Sequence, residues 1–149
     1  KESSYDSVEY LWGVATALGH HLGPILFQLP PNMKKDVERL RAFTDVLPSD
    51  LRAAFEFRND TWFDDDVYDV IRSAGHALCL AEVDDAETPT LVSTADWGYL
   101  RLRREDYSDD DLRRWRAAIE AQPWNEAFVF FKHEDEGAAP RLAARLLAL

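Results

Sequence analysis

The most informative segment of the sequence runs from Trp97 to Phe131 and reads WGYLRLRREDYSDDDLRRWRAAIEAQPWNEAFVFF. Its two ends, residues 97–103 and 126–131, are short apolar runs that predict two strands. Between them, Ser108 precedes three aspartates in the capping pattern Ser-x-x-Asp, which predicts a helix start. The apolar residues that follow recur at helical spacing: Leu112, Trp115 and Ile119. This order of strand, helix and strand predicts a right-handed crossover between two parallel strands.

The same alternation extends toward the amino terminus and beyond residue 131. Further strands are predicted at residues 23–31, 52–58 and 76–83, with 90–94 as an additional short strand. Further helices are predicted around residues 5–18, from an Asn32 cap to a stop at Pro48, over 65–73 before Gly75, and around Leu142, Leu146 and Leu149. Five strands alternating with five helices predict an α/β fold with a parallel sheet.

Two architectures fit this alternation. An open doubly wound parallel sheet carries helices on each face, whereas a TIM-barrel-like (β/α) repeat carries all of its helices outside the ring of strands. A barrel of eight units takes about 250 residues, so the 149 residues here correspond to nearly five units of about 31 residues each.

Composition restricts the class of protein. The 149 residues carry a net charge of −11, are 46% hydrophobic and include one cysteine, which is consistent with one domain over residues 1–149. No apolar run approaches the roughly 18 residues of a membrane span, and the first residues lack a secretory signal. With Cys79 as the single cysteine, we expect a reducing, cytoplasmic compartment. The acidic charge disfavours nucleic acid and anionic lipid as partners.

Charged residues recur at the ends of two predicted strands. Glu56 and Arg58 are two residues apart, so they share one strand face, and Arg101 and Arg103 repeat the arrangement. The carboxyl ends of parallel strands are where α/β proteins build their active sites. These residues are therefore candidates for a functional site.

Several blocks of sequence together resemble the YecE-like family, also called domain of unknown function family 72. They are LGPILFQLPP at 22–31, FEFR at 55–58 with WFDD at 62–65, TADW at 94–97 leading to YLRL, YSDD at 107–110 with Leu112, and EGAAP at 136–140. The resemblance implies a TIM-barrel-like fold and a bacterial or archaeal cytoplasmic protein, and it implies no established reaction. It also implies that the chain covers strands four to eight, the carboxy-terminal five-eighths of a barrel, and lacks the amino-terminal barrel units.

In such a barrel, basic residues gather at the mouth of the last two strands. Arg101, Arg103 and Lys132 would lie there, and Gly137 would begin the helix after the last strand. Barrels often bind phosphate at this place through guanidinium groups and the N–H groups of a helix start. The alternative is that the arginines only form ion pairs with nearby carboxylates.

Three further residues are candidates for catalysis or ligand contact. Glu56 is the best general acid or base, although a salt bridge to Arg58 or Arg101 would explain it equally well. His133 could move protons near neutral pH, or be a solvated loop residue. Trp62 could stack on a ring of a sugar or base, or only cover the strand–helix junction.

No sequence motif indicates a metal site or a cofactor. The four histidines show no zinc-ligand spacing, and no glycine-rich nucleotide loop or serine-nucleophile motif occurs. Two function classes remain: an enzyme acting on a phosphorylated or other anionic substrate, such as a phosphodiester, and a noncatalytic module that binds an anionic ligand or nucleic acid. We also expect missing barrel units or another chain to cover the open strand edges near Leu26 and Phe130.

Overall fold

The structure is a computed structural model that describes residues 4–82, 90–132 and 137–149. By its internal contacts the chain divides into two compact units, residues 1–76 and 77–149. Each unit combines parallel strands with helices.

The first unit contains three α-helices and one pair of strands in its described residues. Its elements are α1 (Ser4–Ala15), β1 (Ile25–Gln28), α2 (Val37–Thr44), β2 (Ala53–Glu56) and α3 (Asp65–Ser73), with 3₁₀-helices at Thr16–His21 and Asp60–Trp62. Strands β1 and β2 are parallel, and Phe27 pairs with Phe55 while Gln28 pairs with Glu56. The two pairs lie on opposite faces because strand side chains alternate.

Aromatic packing places α2 on one face of the β1–β2 pair. The Phe43 ring lies edge-on to the Phe27 ring, with centroids 5.2 Å apart, and also contacts Phe55. Helix α3 packs against α2 and buries Val67 and Ile71 completely. The opposite face of the strands therefore carries Gln28 and Glu56.

The described residues of the second unit form three parallel strands and two α-helices. Its elements are β3 (Ala77–Ala81), β4 (Trp97–Leu102), α4 (Asp109–Glu120), β5 (Glu126–Phe131) and α5 (Ala138–Ala148). Strand β4 pairs with β3 on one side and with β5 on the other, both in parallel. The register sets Leu102 against Phe131 and Arg101 against Phe130.

Both helices of the second unit pack on the same face of its strands. Leu80, Leu100 and Leu102 point to this face and form one core with helix residues. The helix residues in that core are Leu112 and Trp115 of α4 and Leu142 of α5. Alternation leaves Tyr99 and Arg101 on the other face.

The structure confirms several expectations from the sequence. It has an α/β fold with parallel strands, a strand over Glu126–Phe131 and a helix over Asp65–Ser73, as predicted. Ser108 caps α4: its hydroxyl accepts the Asp111 backbone N–H, and the Asp111 carboxylate accepts the Ser108 N–H. The parallel pairings are consistent with both the barrel and the open sheet.

Other expectations were wrong. Residues 90–94 form no strand, and the helix predicted through residue 18 is α-helical only to Ala15. Asn32 does not cap α2; Asp36 does, by accepting the Arg39 N–H at 2.9 Å. The remaining predicted strands are shorter than expected at their ends. Within the described residues, no helix is long and apolar enough to cross a membrane.

Candidate functional site

In the first unit, the structure brings Glu56 and Arg58 together. Glu56 is 1% exposed, and one of its carboxylate oxygens accepts the Gln28 Nε2–H at 2.6 Å and the Arg58 Nε–H at 3.2 Å. Two donors on one oxygen fix the carboxylate at the carboxyl end of β2. The pairing with Arg58 is the ion pair that the sequence offered as an alternative. A fixed, shielded carboxylate is also what a general base requires, so the geometry serves either role.

Trp62 lies in the interior of the first unit. It is 1% exposed, its ring stacks on Phe57 with centroids 4.9 Å apart, and its indole N–H donates to the Met33 carbonyl at 2.7 Å. Both the ring face and the polar atom are thus engaged by the protein. These contacts support the interpretation in which Trp62 covers the strand–helix junction rather than stacking on a ligand.

In the second unit, three cationic side chains share one face at the carboxyl ends of β4 and β5. Arg101 pairs with Phe130, and continuing this register places Arg103 beside Lys132. The Lys132 backbone N–H donates to the Leu102 carbonyl at 3.0 Å, which extends the pairing past the end of β5. Arg101 and Arg103 are half-buried, whereas Lys132 is exposed. We call Arg101, Arg103 and Lys132 the cationic row.

Gly137 directly precedes α5, which packs against β5. Its φ of 69° lies in the left-handed region that glycine adopts without strain. His133, the remaining predicted catalytic residue, lies outside the described residues.

A second polar cluster lies on the helix side of the second unit. Glu82 follows β3, is 3% exposed, and accepts a short hydrogen bond from the Tyr107 hydroxyl. Arg104 lies with Nε 3.4 Å from the Glu82 carboxylate and with its guanidinium 4.5 Å from the centre of the Tyr107 ring. A buried carboxylate, a phenol and a guanidinium are therefore joined between the strands and α4; we call these three residues the Glu82 cluster.

Burial and charge shift the acidities of this cluster. Burial first, and then the hydrogen bond to Glu82, raise the pKa of Tyr107 above its ordinary value. Desolvation lowers the pKa of Arg104, but the carboxylates of Glu82 and Asp111 outweigh it and raise the pKa. Tyr107 is thus a neutral hydrogen-bond donor, and Arg104 a permanent cation.

Asp111 links the Glu82 cluster to the start of α4. Its carboxylate lies 3.3 Å from the Arg104 guanidinium and also pairs with Arg114. The hydroxyl and backbone N–H of Ser108 lower the pKa of Asp111 below its ordinary range. A cavity of about 400 Å³ lies beside these groups, lined by Glu82, Arg104, Asp111, Arg114, Trp115 and Ala118. Its charges are already paired, which is the arrangement of a structural ion cluster.

The first unit also contains an apolar cavity of about 500 Å³ on the α2 side of β1 and β2. Phenylalanines 27, 43 and 55 line it, with Met33, Leu40 and Trp62. Gln28, which donates to the Glu56 carboxylate, also lines this cavity, so the cavity reaches a residue that holds the candidate base.

Metal-ligating groups do not gather in the part of the chain that the structure describes. Among residues 4–82, 90–132 and 137–149, no three histidine, cysteine, aspartate or glutamate side chains are close enough to hold a metal ion.

Comparison with known proteins identifies the family. The sequence matches the family described as Protein of unknown function DUF72 over residues 2–149. The chain belongs to the DUF72 family. YecE-like is another name for it, so the resemblance found from the sequence is confirmed. The DUF72 match covers nearly all of the chain, and it does not bear out the expectation that the chain is only the carboxy-terminal five-eighths of the family. Among curated proteins, no relative matches it.

Solved structures of DUF72 proteins share the fold. A DUF72 family protein from Thermotoga maritima superimposes with a TM-score of 0.83 at 20% identity, covering 99% of this chain and 65% of that one. A DUF72 family protein from Enterococcus faecalis gives a TM-score of 0.79 at 17% identity, covering 99% of this chain and 67% of that one. The chain thus spans 65% of the length of the Thermotoga protein. At these identities, the likeness concerns the fold alone.

Proposed function

We propose that the protein binds an anionic small molecule through the cationic row of Arg101, Arg103 and Lys132. The observation that carries this proposal is the register of β4 and β5, which aligns the three cations on one face at the carboxyl ends of neighbouring parallel strands. The chain carries a net charge of −11, so the three cations form a locally positive area in an acidic protein.

The residue types favour phosphate as the anionic group. Guanidinium groups bind phosphate through paired N–H donors, and lysine adds a compact positive charge. The backbone N–H groups at the start of α5, after Gly137, are of the kind that commonly supplements such a site. We therefore expect a phosphorylated ligand to bind more tightly than an uncharged one of the same shape.

We also propose that the protein is an enzyme in which Glu56 moves a proton. The supporting observation is the carboxylate itself, 1% exposed and held by Gln28 and Arg58 at the end of β2. Hydrolysis of a phosphodiester requires a group that takes a proton from water, and Glu56 is the candidate for it. The alternative is a noncatalytic module for an anionic ligand; nucleic acid as that ligand is opposed by the net charge.

For the fold, we propose a TIM-barrel-like arrangement rather than an open doubly wound sheet. In the second unit, α4 and α5 pack on one strand face, and the opposite face carries the cationic row. A doubly wound sheet needs helices on both faces, whereas a barrel places them all outside. The partner expected along β1 and β5, the cytoplasmic location and the bacterial or archaeal origin stay predictions.

Calorimetric titration with inorganic phosphate and pyrophosphate tests the anion site. We expect the double variant Arg101→Ala/Arg103→Ala, and Lys132→Ala more mildly, to weaken binding by about tenfold or more, because each removes charge-assisted hydrogen bonds. Arg113→Ala is the matched control, since Arg113 is exposed and pairs with Asp110 in its own helix. Wild-type binding that persists unchanged in the double variant would refute the site.

The enzyme and the binding module are separated by Glu56→Gln, which keeps the side-chain size. An enzyme of the proposed kind loses turnover of a model phosphodiester in this variant while retaining phosphate affinity. A binding module shows no turnover in the wild type. Turnover that survives the substitution unchanged would exclude Glu56 from the chemistry.

A further inference from the structure

Two arginines of this chain lie against buried glutamates in nearly the same way. Arg58 Nε lies 3.2 Å from the carboxylate of Glu56, and Arg104 Nε lies 3.4 Å from the carboxylate of Glu82. Both glutamates are almost fully buried at the end of a strand. The two arginine side chains are exposed to almost the same extent, 36% and 37%. The two ion pairs can therefore be compared directly.

The two arginines differ at their terminal nitrogens. Arg104 Nη2 lies 3.3 Å from the Asp111 carboxylate, so this guanidinium lies between two carboxylates. Arg58 has one side-chain partner among residues 4–82, 90–132 and 137–149, and that partner is Glu56, bound through Nε. The other N–H donors of a guanidinium are on its two terminal nitrogens. The part of Arg58 that corresponds to the Asp111 contact of Arg104 thus binds no carboxylate of the described chain.

The backbone on both sides of Arg58 is fixed. Phe57 is 5% exposed, and its ring stacks on Trp62 with centroids 4.9 Å apart and planes only 3° from parallel. On the other side, the Asn59 side-chain amide donates to the Pro31 carbonyl at 2.8 Å. Arg58 therefore extends from a rigid segment and is also tied to Glu56, which preorganises its guanidinium for a ligand.

Charge balance at Glu56 does not account for this arrangement. The Glu56 oxygen that binds Arg58 also accepts the Gln28 Nε2–H at 2.6 Å, so both donors share one atom. An arginine that serves only a carboxylate binds it best through two parallel N–H groups. Arg58 instead donates one N–H and keeps its forked terminal edge, which matches the paired oxygens of a carboxylate or phosphate.

We propose that the terminal nitrogens of Arg58 bind an oxyanion group of the ligand, in the place that Asp111 takes on Arg104. The ligand class is a carboxylate or a phosphate, which share the paired oxygens that a guanidinium fork recognises. A ligand held there lies beside the carboxylate of Glu56, because Nε of the same guanidinium binds Glu56. The site shares no residue with the cationic row. Only its link to proton transfer rests on the proposed function, in which Glu56 is the base.

Calorimetric titration with inorganic phosphate and with acetate tests the site. The protein used already carries Arg101→Ala/Arg103→Ala, so that the cationic row does not contribute. We expect Arg58→Gln, which keeps an N–H donor for Glu56, to weaken binding of the tighter probe by about tenfold or more, because it removes the charged fork. Arg58→Lys keeps the charge without the fork and should weaken binding by about threefold.

Arg72→Gln is the matched control for these variants. Arg72 belongs to the same unit, is 48% exposed and pairs with Asp69 in its own helix. Its replacement removes the same charge and should leave the affinity for both probes unchanged. An equal loss in Arg72→Gln and Arg58→Gln would show a general effect of charge and would overturn the site.

A measurement on the wild type avoids any effect of a substitution on folding. Phenylglyoxal modifies accessible arginines, and mass spectrometry of the peptides gives the rate at Arg58, with Arg72 as the internal reference. At a phosphate concentration ten times its measured Kd, we expect modification of Arg58 to slow by about tenfold, because an occupied guanidinium does not react. The rate at Arg72 should not change.

The outcomes separate this site from the cationic row. Phosphate binding that survives Arg101→Ala/Arg103→Ala and is lost on adding Arg58→Gln supports the site at Arg58. If all binding of both probes is lost with Arg101→Ala/Arg103→Ala alone, the cationic row stands and the site at Arg58 is wrong. An Arg58 that does not react with phenylglyoxal even without added anion is already covered by another group of the protein, and this result would also overturn the inference.

Discussion

Tyr107 donates its hydroxyl to the carboxylate of Glu82, a residue 25 positions earlier in the chain. The backbone N–H of Arg104 in turn donates to the Tyr107 oxygen at 3.1 Å, so the phenol is both donor and acceptor. This pair connects the end of β3 to the loop before α4. It gives the second unit a polar anchor next to its apolar core, to which Tyr107 also belongs.

Removal of that hydroxyl is expected to destabilise the protein. Tyr107→Phe leaves Glu82 buried with one donor fewer, and we expect the free energy of unfolding to fall by about 1–3 kcal/mol. Urea denaturation measures the change. Tyr10→Phe is the control, since Tyr10 is 76% exposed, and it should change stability by less than about 0.5 kcal/mol. Equal effects of the two substitutions would show that the Tyr107–Glu82 hydrogen bond contributes nothing net.

Asp111 is expected to make stability fall in acid. Its pKa is lowered in the folded protein by the Ser108 hydroxyl and N–H, so its contribution is fully present above the unfolded pKa of about 3.9 and is lost as the pH falls below it. Unfolding measured from about pH 6 down to pH 3 should therefore show a steeper loss for the wild type than for Asp111→Asn. Asp110→Asn is the control, because Asp110 is exposed in the same turn and pairs with Arg113 three residues later in the same helix. A variant Asp111→Asn that keeps the full wild-type slope would contradict this role.

Gly98 is expected to tolerate no side chain. A Cβ atom at this position in β4 would overlap the ring of Trp124, whose indole N–H is held by the Ser93 hydroxyl at 3.0 Å. We expect Gly98→Ala to cost about 1–3 kcal/mol through overpacking. Gly13→Ala is the opposite case, because nothing lies within 4 Å of a Cβ there and the position is helical, so stability should rise by about 0.5–1 kcal/mol. Thermal unfolding of both variants should show melting temperatures that move in opposite directions.

Trp62 and Phe63 are neighbours that should respond differently to truncation. Trp62→Ala removes a buried ring and its hydrogen bond to Met33, and we expect a loss of about 3–5 kcal/mol. Phe63→Ala removes a side chain that is 45% exposed and should cost less than about 1 kcal/mol. Guanidinium denaturation of the two variants makes the comparison. A small loss for Trp62→Ala would revive the idea that the ring serves a ligand rather than the fold.

Local sequence patterns were sufficient where a segment's own residues determine its structure. The Ser108 capping box and the strand at Glu126–Phe131 depend on contacts within a few residues or on the apolar run itself. The candidate site residues Arg101 and Arg103 could be found in the same way, because their spacing of two places both on one strand face.

Predictions failed where distant contacts decide the structure. Residues 31–35 stay irregular because the Met33 carbonyl accepts the Trp62 indole N–H and the Lys35 N–H donates to the Thr61 hydroxyl, so α2 begins only after Asp36. Residues 90–94 form no strand because the Thr94 hydroxyl, rather than a backbone carbonyl, accepts the Leu78 N–H at 2.8 Å. No local sequence pattern predicts these three hydrogen bonds, because each joins residues that are distant in the chain.

The Glu82 cluster was missed for the same reason. Its members come from the end of β3 and from the loop before α4, and a single glutamate among many acidic residues carries no local signal. The only local indication is the alternation of side chains along a strand. Leu80 and Glu82 share one strand face, as do Leu102 and Arg104, so Glu82 and Arg104 lie on the helix side next to two core leucines.

With the proposed anion site, the pairing of β4 with β5 would make ligand binding a test of correct folding. If β5 paired one residue out of step, its two faces would be exchanged, so that Phe131 would leave the core and Lys132 would leave the cationic row. Misfolded molecules of this type would be unable to retain the anion even though their secondary structure content is normal. The fraction of refolded protein that binds phosphate would therefore report how many chains have assembled this strand in step.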